Sequence, residues 1–195
     1  LPILVHHEHN DGAYITMGVM VTKDPDTKSS NLGIYRHKKV DRNKLGVYYS
    51  WGKHLQYAHN HCEEKNESLP IAIVLGAHPS LHIGAVNPLA DTMGEDEYAI
   101  VGGLLGEPLE LVSCKTVPLE VPADAEIVIE GEILPSVRQT EGPFGEFHQY
   151  YGQIVDAPEI KVTAITHRKD ALYQNVGIVV EHLYIQTPLS EGFLI

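Results

Sequence analysis

Ala13-Tyr14-Ile15-Thr16-Met17-Gly18-Val19-Met20-Val21-Thr22 is the stretch on which the fold reading turns. Its β-branched, aromatic and apolar side chains favour extended backbone, so it predicts a strand. Lys23-Asp24-Pro25-Asp26-Thr27 breaks it. Asn31 to Arg36 predicts a second strand, and Leu45 to Ser50 a third beyond a charged link and a turn at Arg42-Asn43-Lys44. Three such strands in succession predict a meander.

The pattern then changes period. From Lys53 to Asn66, Leu55, Ala58 and Cys62 recur at helical spacing, with Glu63, Glu64 and Lys65 on the polar side. Pro70 to Gly76 is a short continuous apolar run, as expected of a buried strand. His78 to Asn87 favours neither period. A helix over 95–105 opens on Glu95, Asp96 and Glu97, acids suited to its positive end, and stops at Gly106. Leu109 to Ser113, Val117 to Val121, Glu126 to Ile133 and Glu159 to Thr166 predict strands, and Ala171 to Tyr184 reads as extended. Seven to nine strands with two helices predict an α+β, mainly β fold, a barrel-like or sandwich-like core with helices at its side.

The chain has 195 residues, 43% of them hydrophobic, enough for one sizeable core. Both ends of the sequence are apolar, whereas termini are usually polar, so a segment of a longer protein is expected. No apolar run reaches the length of a membrane span and no signal peptide is evident, which points to the cytoplasm. Cys62 and Cys114 belong to no paired metal motif and are expected to be reduced. A formal charge of -12 argues against nucleic acid or an anionic membrane as partner. An anionic ligand would need Arg36, Lys53, backbone N–H groups or a divalent cation to offset that background.

Twelve histidines raise the question of metal. In His6-His7-Glu8-His9, successive side chains of an extended chain point to opposite sides, which predicts a surface or interface feature. His54 and His61 share a helix face two turns apart while His59 points elsewhere, and no His-Glu-x-x-His string occurs; a zinc hydrolase would need a third ligand to converge. His78 and His82 are four apart, but Pro79 argues against a helix there. Glu141-Gly142-Pro143-Phe144-Gly145-Glu146 sets two carboxylates at either end of a tight turn. Alone it reads as a surface loop with two solvated acids; brought together, one acid would perturb the other.

Asn31-Leu32-Gly33-Ile34-Tyr35-Arg36, then Trp51-Gly52-Lys53-His54, then Glu97 ahead of Val101-Gly102-Gly103, and finally the Glu141–Glu146 string follow one another in an order that closely resembles the UbiD family of decarboxylases. Those enzymes use prenylated FMN. The resemblance implies a split β-barrel of the flavin-reductase, FMN-binding kind over residues 1–170, with 171–195 starting the connection to a further C-terminal domain. It implies that Asn31, His54 and Glu97 ligate a divalent metal, manganese or magnesium, that clamps the flavin phosphate, with room for potassium beside Glu97. Ile34, Tyr35, Arg36, Tyr48, Tyr49, Ser50, Lys53 and His54 match the cofactor cradle. Arg36, Glu141 and Glu146 match the catalytic set: Glu146 as proton donor, kept protonated by burial and by Glu141's charge, and Arg36 as the partner that holds Glu141 ionised. The implied substrate is an aromatic or α,β-unsaturated carboxylic acid, closest to the hydroxybenzoate or vanillate type, with the reaction open in both directions. Implied partners are a flavin prenyltransferase and, in the full-length protein, further copies of itself as a dimer or hexamer. Two departures stand out: Lys53 replaces the Gln or Arg of some relatives, and the resemblance covers only the middle of the family's usual chain. A non-catalytic flavin- or metal-binding fragment and a zinc hydrolase remain the rival expectations.

Overall fold

The computed structural model describes residues 1–87 and 96–178. Among them are ten strands and three helices: β1 (Tyr14–Ile15), β2 (Val19–Lys23), β3 (Ser30–Ile34), β4 (Arg36–Asp41), β5 (Lys44–Tyr48), α1 (His54–Glu64), β6 (Leu69–Leu75), α2 (Pro79–Ala85), α3 (Glu97–Leu105), β7 (Leu111–Ser113), β8 (Glu120–Pro122), β9 (Ile127–Glu141) and β10 (Val155–His167). Eight strands form one antiparallel sheet in the order β1-β4-β5-β10-β9-β6-β2-β3, and β7 pairs with β8.

The opening stretch is two strands rather than one, and the break dictates the architecture. Ile15 ends β1 at one edge of the sheet, and Val19 starts β2 six strand spacings away. A flat sheet would separate them by about 29 Å. Four residue steps span at most about 14 Å. The sheet therefore curls until its ends approach, giving the half-closed barrel expected of the mainly β class. Gly18 sits at the crossing, where a Cβ would lie 2.6 Å from the Ile73 side chain.

Both faces of the curled sheet are covered, so its strands alternate between two cores. Ile15, Met20, Val47, Ile71, Ile73 and Ile160 pack in one with Leu55 and Ala58 of α1. Val19, Val21, Ala72 and Val74 pack in the other with Leu81 of α2, Tyr98 and Val101 of α3 and the β7–β8 ribbon. This is why the run at 70–76 carries no polar face.

Three expectations change. The charged link after Arg36 is strand β4: pleating turns His37 inward, fully buried, while Lys38 reaches Asp11 and the Thr140 carbonyl. Residues 79–85 are helical because Pro79 occupies the first turn, where no N–H is needed, and His78 caps it by accepting from Ser80 N. β9 runs on to Glu141, well past the expected end at Ile133. Helix α3 does end at Gly106, with φ +79°. The extended reading of 171–184 finds no regular element up to residue 178; Glu95 and residues 179–195 lie outside the described residues.

Candidate active site

The donor cluster is built from two element ends. Asn31 sits in β3, His54 is the first residue of α1 and Glu97 the first of α3. Asp96 caps α3 by accepting from Tyr98 N at 2.9 Å and also accepts from Ser30 N at 3.1 Å. That one carboxylate fixes the residue before Asn31 against the residue before Glu97. The Asn31 amide nitrogen consequently lies 2.9 Å from Glu97 Oε1 and 3.1 Å from His54 Nδ1. Burial raises the Glu97 carboxyl pKa, opposed by hydrogen bonds from the backbone and Asn31 and by His54.

The acid cluster is built around Arg36, at the start of β4. Its Nε and Nη2 bind the two Glu141 oxygens at 2.8 and 2.9 Å, and its Nη1 binds Glu146. The guanidinium is stacked between Tyr48 and Phe144, whose ring centres lie 4.2 and 4.7 Å from Cζ. Burial would lower the Arg36 pKa, but bonding to Glu141 and then Glu146 holds it above its ordinary value. Glu141 ends β9 and is enclosed, its side chain 1% exposed against 25% for Glu146. The expectation that Glu146 is the buried acid is thus corrected: the turn carries it outward while the strand end stays inside. Tyr14 lies behind the turn, its ring 4.6 Å from Phe144 and its hydroxyl 3.3 Å from Gly142 N. Burial and the Glu141 charge push its phenol pKa upward.

The turn is held from both sides. Gly142 has φ +91°, and a Cβ there would lie 2.7 Å from the Gln153 carbonyl. Asp11 N donates to Pro143 O, Gly145 N to Asn10 Oδ1, and Gly152 N to Phe144 O. His7 packs against Gly145, and His6 bonds the Tyr14 carbonyl at 3.2 Å, so the N-terminal histidines buttress the turn. His61 instead pairs with Lys65 at 2.7 Å. Among the described residues no three His, Cys, Asp or Glu side chains gather in one place, which leaves the zinc-hydrolase expectation without its convergent set. Cys62 and Cys114 are both free thiols.

Asn31, Ile34, Tyr35, Arg36, Tyr48, Tyr49, Ser50, Lys53, His54 and Glu146 line one cavity of about 700 Å³. Glu97 and Glu141 stand behind its wall, each bonded to a residue that lines it. Thr16, His82, Gln174 and Val176 also line it, and none of them was assigned to the cradle from sequence. They come from segments distant in the chain and lie outside the four motif strings. The cavity is of cofactor size. A carboxylate, an imidazole and an amide, which presents oxygen when turned over, suit a hard to borderline divalent cation. The residues present therefore fit both groups.

The sequence profile of the UbiD 3-octaprenyl-4-hydroxybenzoate carboxy-lyase Rift-related domain matches residues 1–181. The UbiD-class enzyme HmfF from Pelotomaculum thermopropionicum, solved with FMN, is 40% identical over 97% of this chain and 42% of its own, with a TM-score of 0.91. Vanillic acid decarboxylase from Sedimentibacter hydroxybenzoicus is 34% identical over 92% of this chain and 38% of its own, with a TM-score of 0.86. This chain thus spans less than half the length of either. Flavoredoxin of Desulfovibrio vulgaris shares the fold alone, at 12% identity and a TM-score of 0.52. Motifs, curled sheet and relatives agree: the chain belongs to the UbiD family.

Proposed function

We propose that this chain is the cofactor-binding core of a prenylated-FMN-dependent decarboxylase acting on an aromatic or α,β-unsaturated carboxylic acid, with a hydroxybenzoate-type phenolic acid as the first choice. The observation that carries the reading is that Arg36 binds both Glu141 and Glu146 on the wall of the cavity that Asn31 and His54 also line. Asn31, His54 and Glu97 would hold manganese or magnesium, with potassium near Glu97, and that charge would secure a flavin phosphate in an acidic protein. When bound, prenylated FMN supplies the electron sink for the pair left on carbon as CO2 departs.

The chain's own part is positioning and one proton. Arg36 keeps its two bonds to enclosed Glu141, which fix the guanidinium plane, and offers Nη1 to an incoming carboxylate. That carboxylate displaces Glu146 from Nη1 and sets a second negative charge beside it. Released from Arg36, Glu146 is the acid placed to donate a proton at the reacting carbon. After the C–C bond breaks, Glu146 gives its proton to the carbon that lost CO2 and later regains one from solvent, to which it is partly open. Carboxylation of a phenol is the same sequence reversed.

Co-expression of the full-length protein with a flavin prenyltransferase tests this. The expected result is a purified protein with a flavin spectrum, bound manganese, and CO2 release from a hydroxybenzoate or vanillate. Flavin without turnover on any acid would favour a non-catalytic flavin-binding module, and zinc without flavin would overturn both. A dimer or hexamer, located in the cytoplasm, is the expected assembly.

A further inference from the structure

Tyr49 follows β5 and lines the cavity, and what holds it there is a buried relay. Its hydroxyl lies 2.7 Å from His59 Nδ1, with the two rings edge to face at 71°. His59 is wholly enclosed in the middle of α1, and its Nε2 lies 3.4 Å from the Leu134 carbonyl of β9. A carbonyl can only accept, so Nε2 carries the imidazole proton, Nδ1 is bare, and the phenol donates to it. Burial favours the protonation states this needs, lowering the His59 pKa and raising that of Tyr49 to about 12.

The relay ends where β9 departs from a regular ladder. Pairing with β10 jumps from Ile133↔Ile160 to Arg138↔Pro158, and Ser136 between them has φ +56°. One turn beyond His59, Glu63 grips the same stretch, accepting from Arg138 Nη2 at 2.9 Å on both oxygens and from Ser136 N at 2.5 Å. Residues four apart share a helix face, so α1 is pinned to the irregular part of β9 at two points, and Tyr49 is attached to the first. The same helix begins with His54.

A satisfied core histidine would account for the burial of His59 but not for its pairing. A phenylalanine at position 49 with an apolar side chain at 59 would fill the same space with no hydroxyl to satisfy. The pair costs two buried polar groups, and what it adds is direction: a donor and acceptor fix the Tyr49 ring in one orientation. We propose that His59 is a positioning residue that locks Tyr49 as a wall against which the flavin lies; this rests on the flavin reading above.

FMN titration of the protein, followed by visible circular dichroism and with thermal unfolding alongside, tests the inference. His59→Phe is expected to weaken FMN binding roughly three- to tenfold, the worth of one net hydrogen bond, and to alter the flavin dichroism. Tyr49→Phe, which keeps the ring and removes only the donor, should reproduce both effects. The double variant should be no worse than either single one, because both remove the same interaction. His59→Asn puts a carboxamide near the Nδ1 position and should restore most of the affinity. Should His59→Phe fail to fold, Tyr49→Phe and His59→Asn decide the matter. Unchanged affinity and dichroism in Tyr49→Phe, or additive losses in the double variant, would overturn the positioning role alone. A wild-type protein that takes up no FMN would overturn the flavin reading and this inference with it.

Discussion

Asn31 and Arg36 stand five residues apart on consecutive strands and line the same cavity, yet their surroundings are opposites. Arg36 is a cation already matched by two carboxylates and stacked between two rings. Asn31 is a neutral amide between an imidazole and a carboxylate whose pKa burial raises. The acid cluster carries its own counter-charge and is assembled by the fold. The donor cluster sets an imidazole and a carboxylate about the Asn31 amide, and under the proposed function a bound cation would complete it. Damage to the two should therefore have different signatures: loss of stability and turnover in one, loss of metal and flavin in the other.

Arg36→Met makes the largest break. It strands Glu141 in an enclosed site with no guanidinium, and a lone buried charge of this kind costs about 3–5 kcal/mol. Urea unfolding should show that loss, and decarboxylation should vanish with it. An unchanged unfolding midpoint would mean that the pairing contributes nothing to the fold. Glu146→Gln comes next and isolates the chemistry, because Glu146 is partly open and its loss strands no buried charge. Turnover should fall about 10²–10⁴-fold, the usual worth of a positioned proton donor, with flavin absorbance and manganese content as in wild type. Asn31→Ala is its counterpart and should lose metal and flavin together while unfolding normally. Equal flavin loss in both variants would erase the distinction between the clusters.

What could be read from the sequence followed the range of the interactions involved. The Glu141–Glu146 turn and the Asn31–Arg36 string were legible because each is contiguous, and α1 because Leu55, Ala58 and Cys62 keep a helical period. The break at Thr16–Gly18 was not, since a single glycine within a strand pattern reads as a bulge as readily as an end, and only the closure of the sheet separates β1 from β2. Strand β4 was hidden by Lys38 and Lys39, whose ammonium groups sit on long stems while pleating buries His37 alone. At the site, the Tyr48–Arg36–Phe144 stack and the placing of Tyr14 behind Glu141 join segments about a hundred residues apart, and no local pattern encodes them. The exchange of burial between Glu141 and Glu146 has the same origin: the two ends of the turn look alike in sequence, and only β9 and Arg36 make them unequal.

A smaller effect separates the strand beneath the acid cluster from the cluster itself. His37 follows Arg36 but faces the other side of β4, enclosed and with neither ring nitrogen bonded, so burial lowers its pKa to about 3. Between that value and the ordinary one near 6.5, the unfolded chain binds a proton that the folded chain refuses. Stability from this residue is therefore complete above the ordinary value and declines as pH falls toward the folded one. Relative to wild type, His37→Phe should flatten the stability profile below neutrality, by roughly 2 kcal/mol between pH 6.5 and 5. Urea unfolding at the two pH values gives the comparison. Parallel profiles would place the acid sensitivity elsewhere.

Phe144→Leu should have the mildest effect. It removes one of the two rings over Arg36 but keeps an apolar side chain against Tyr14, so the lost cation–π contact and ring volume are worth about 1–2 kcal/mol. The Glu141 bonds remain, so the guanidinium should stay in place while gaining freedom to tilt on the side the ring had covered. Stability should fall by that amount, metal and flavin content should not change, and turnover should drop several-fold through less exact placing of the substrate carboxylate. A rise in KM with kcat unchanged would assign the ring to carboxylate binding alone. A fall in kcat at constant KM would tie it to the alignment of Arg36 with Glu146. Loss of manganese instead would mean that the two clusters share one scaffold, and the contrast between them would not survive.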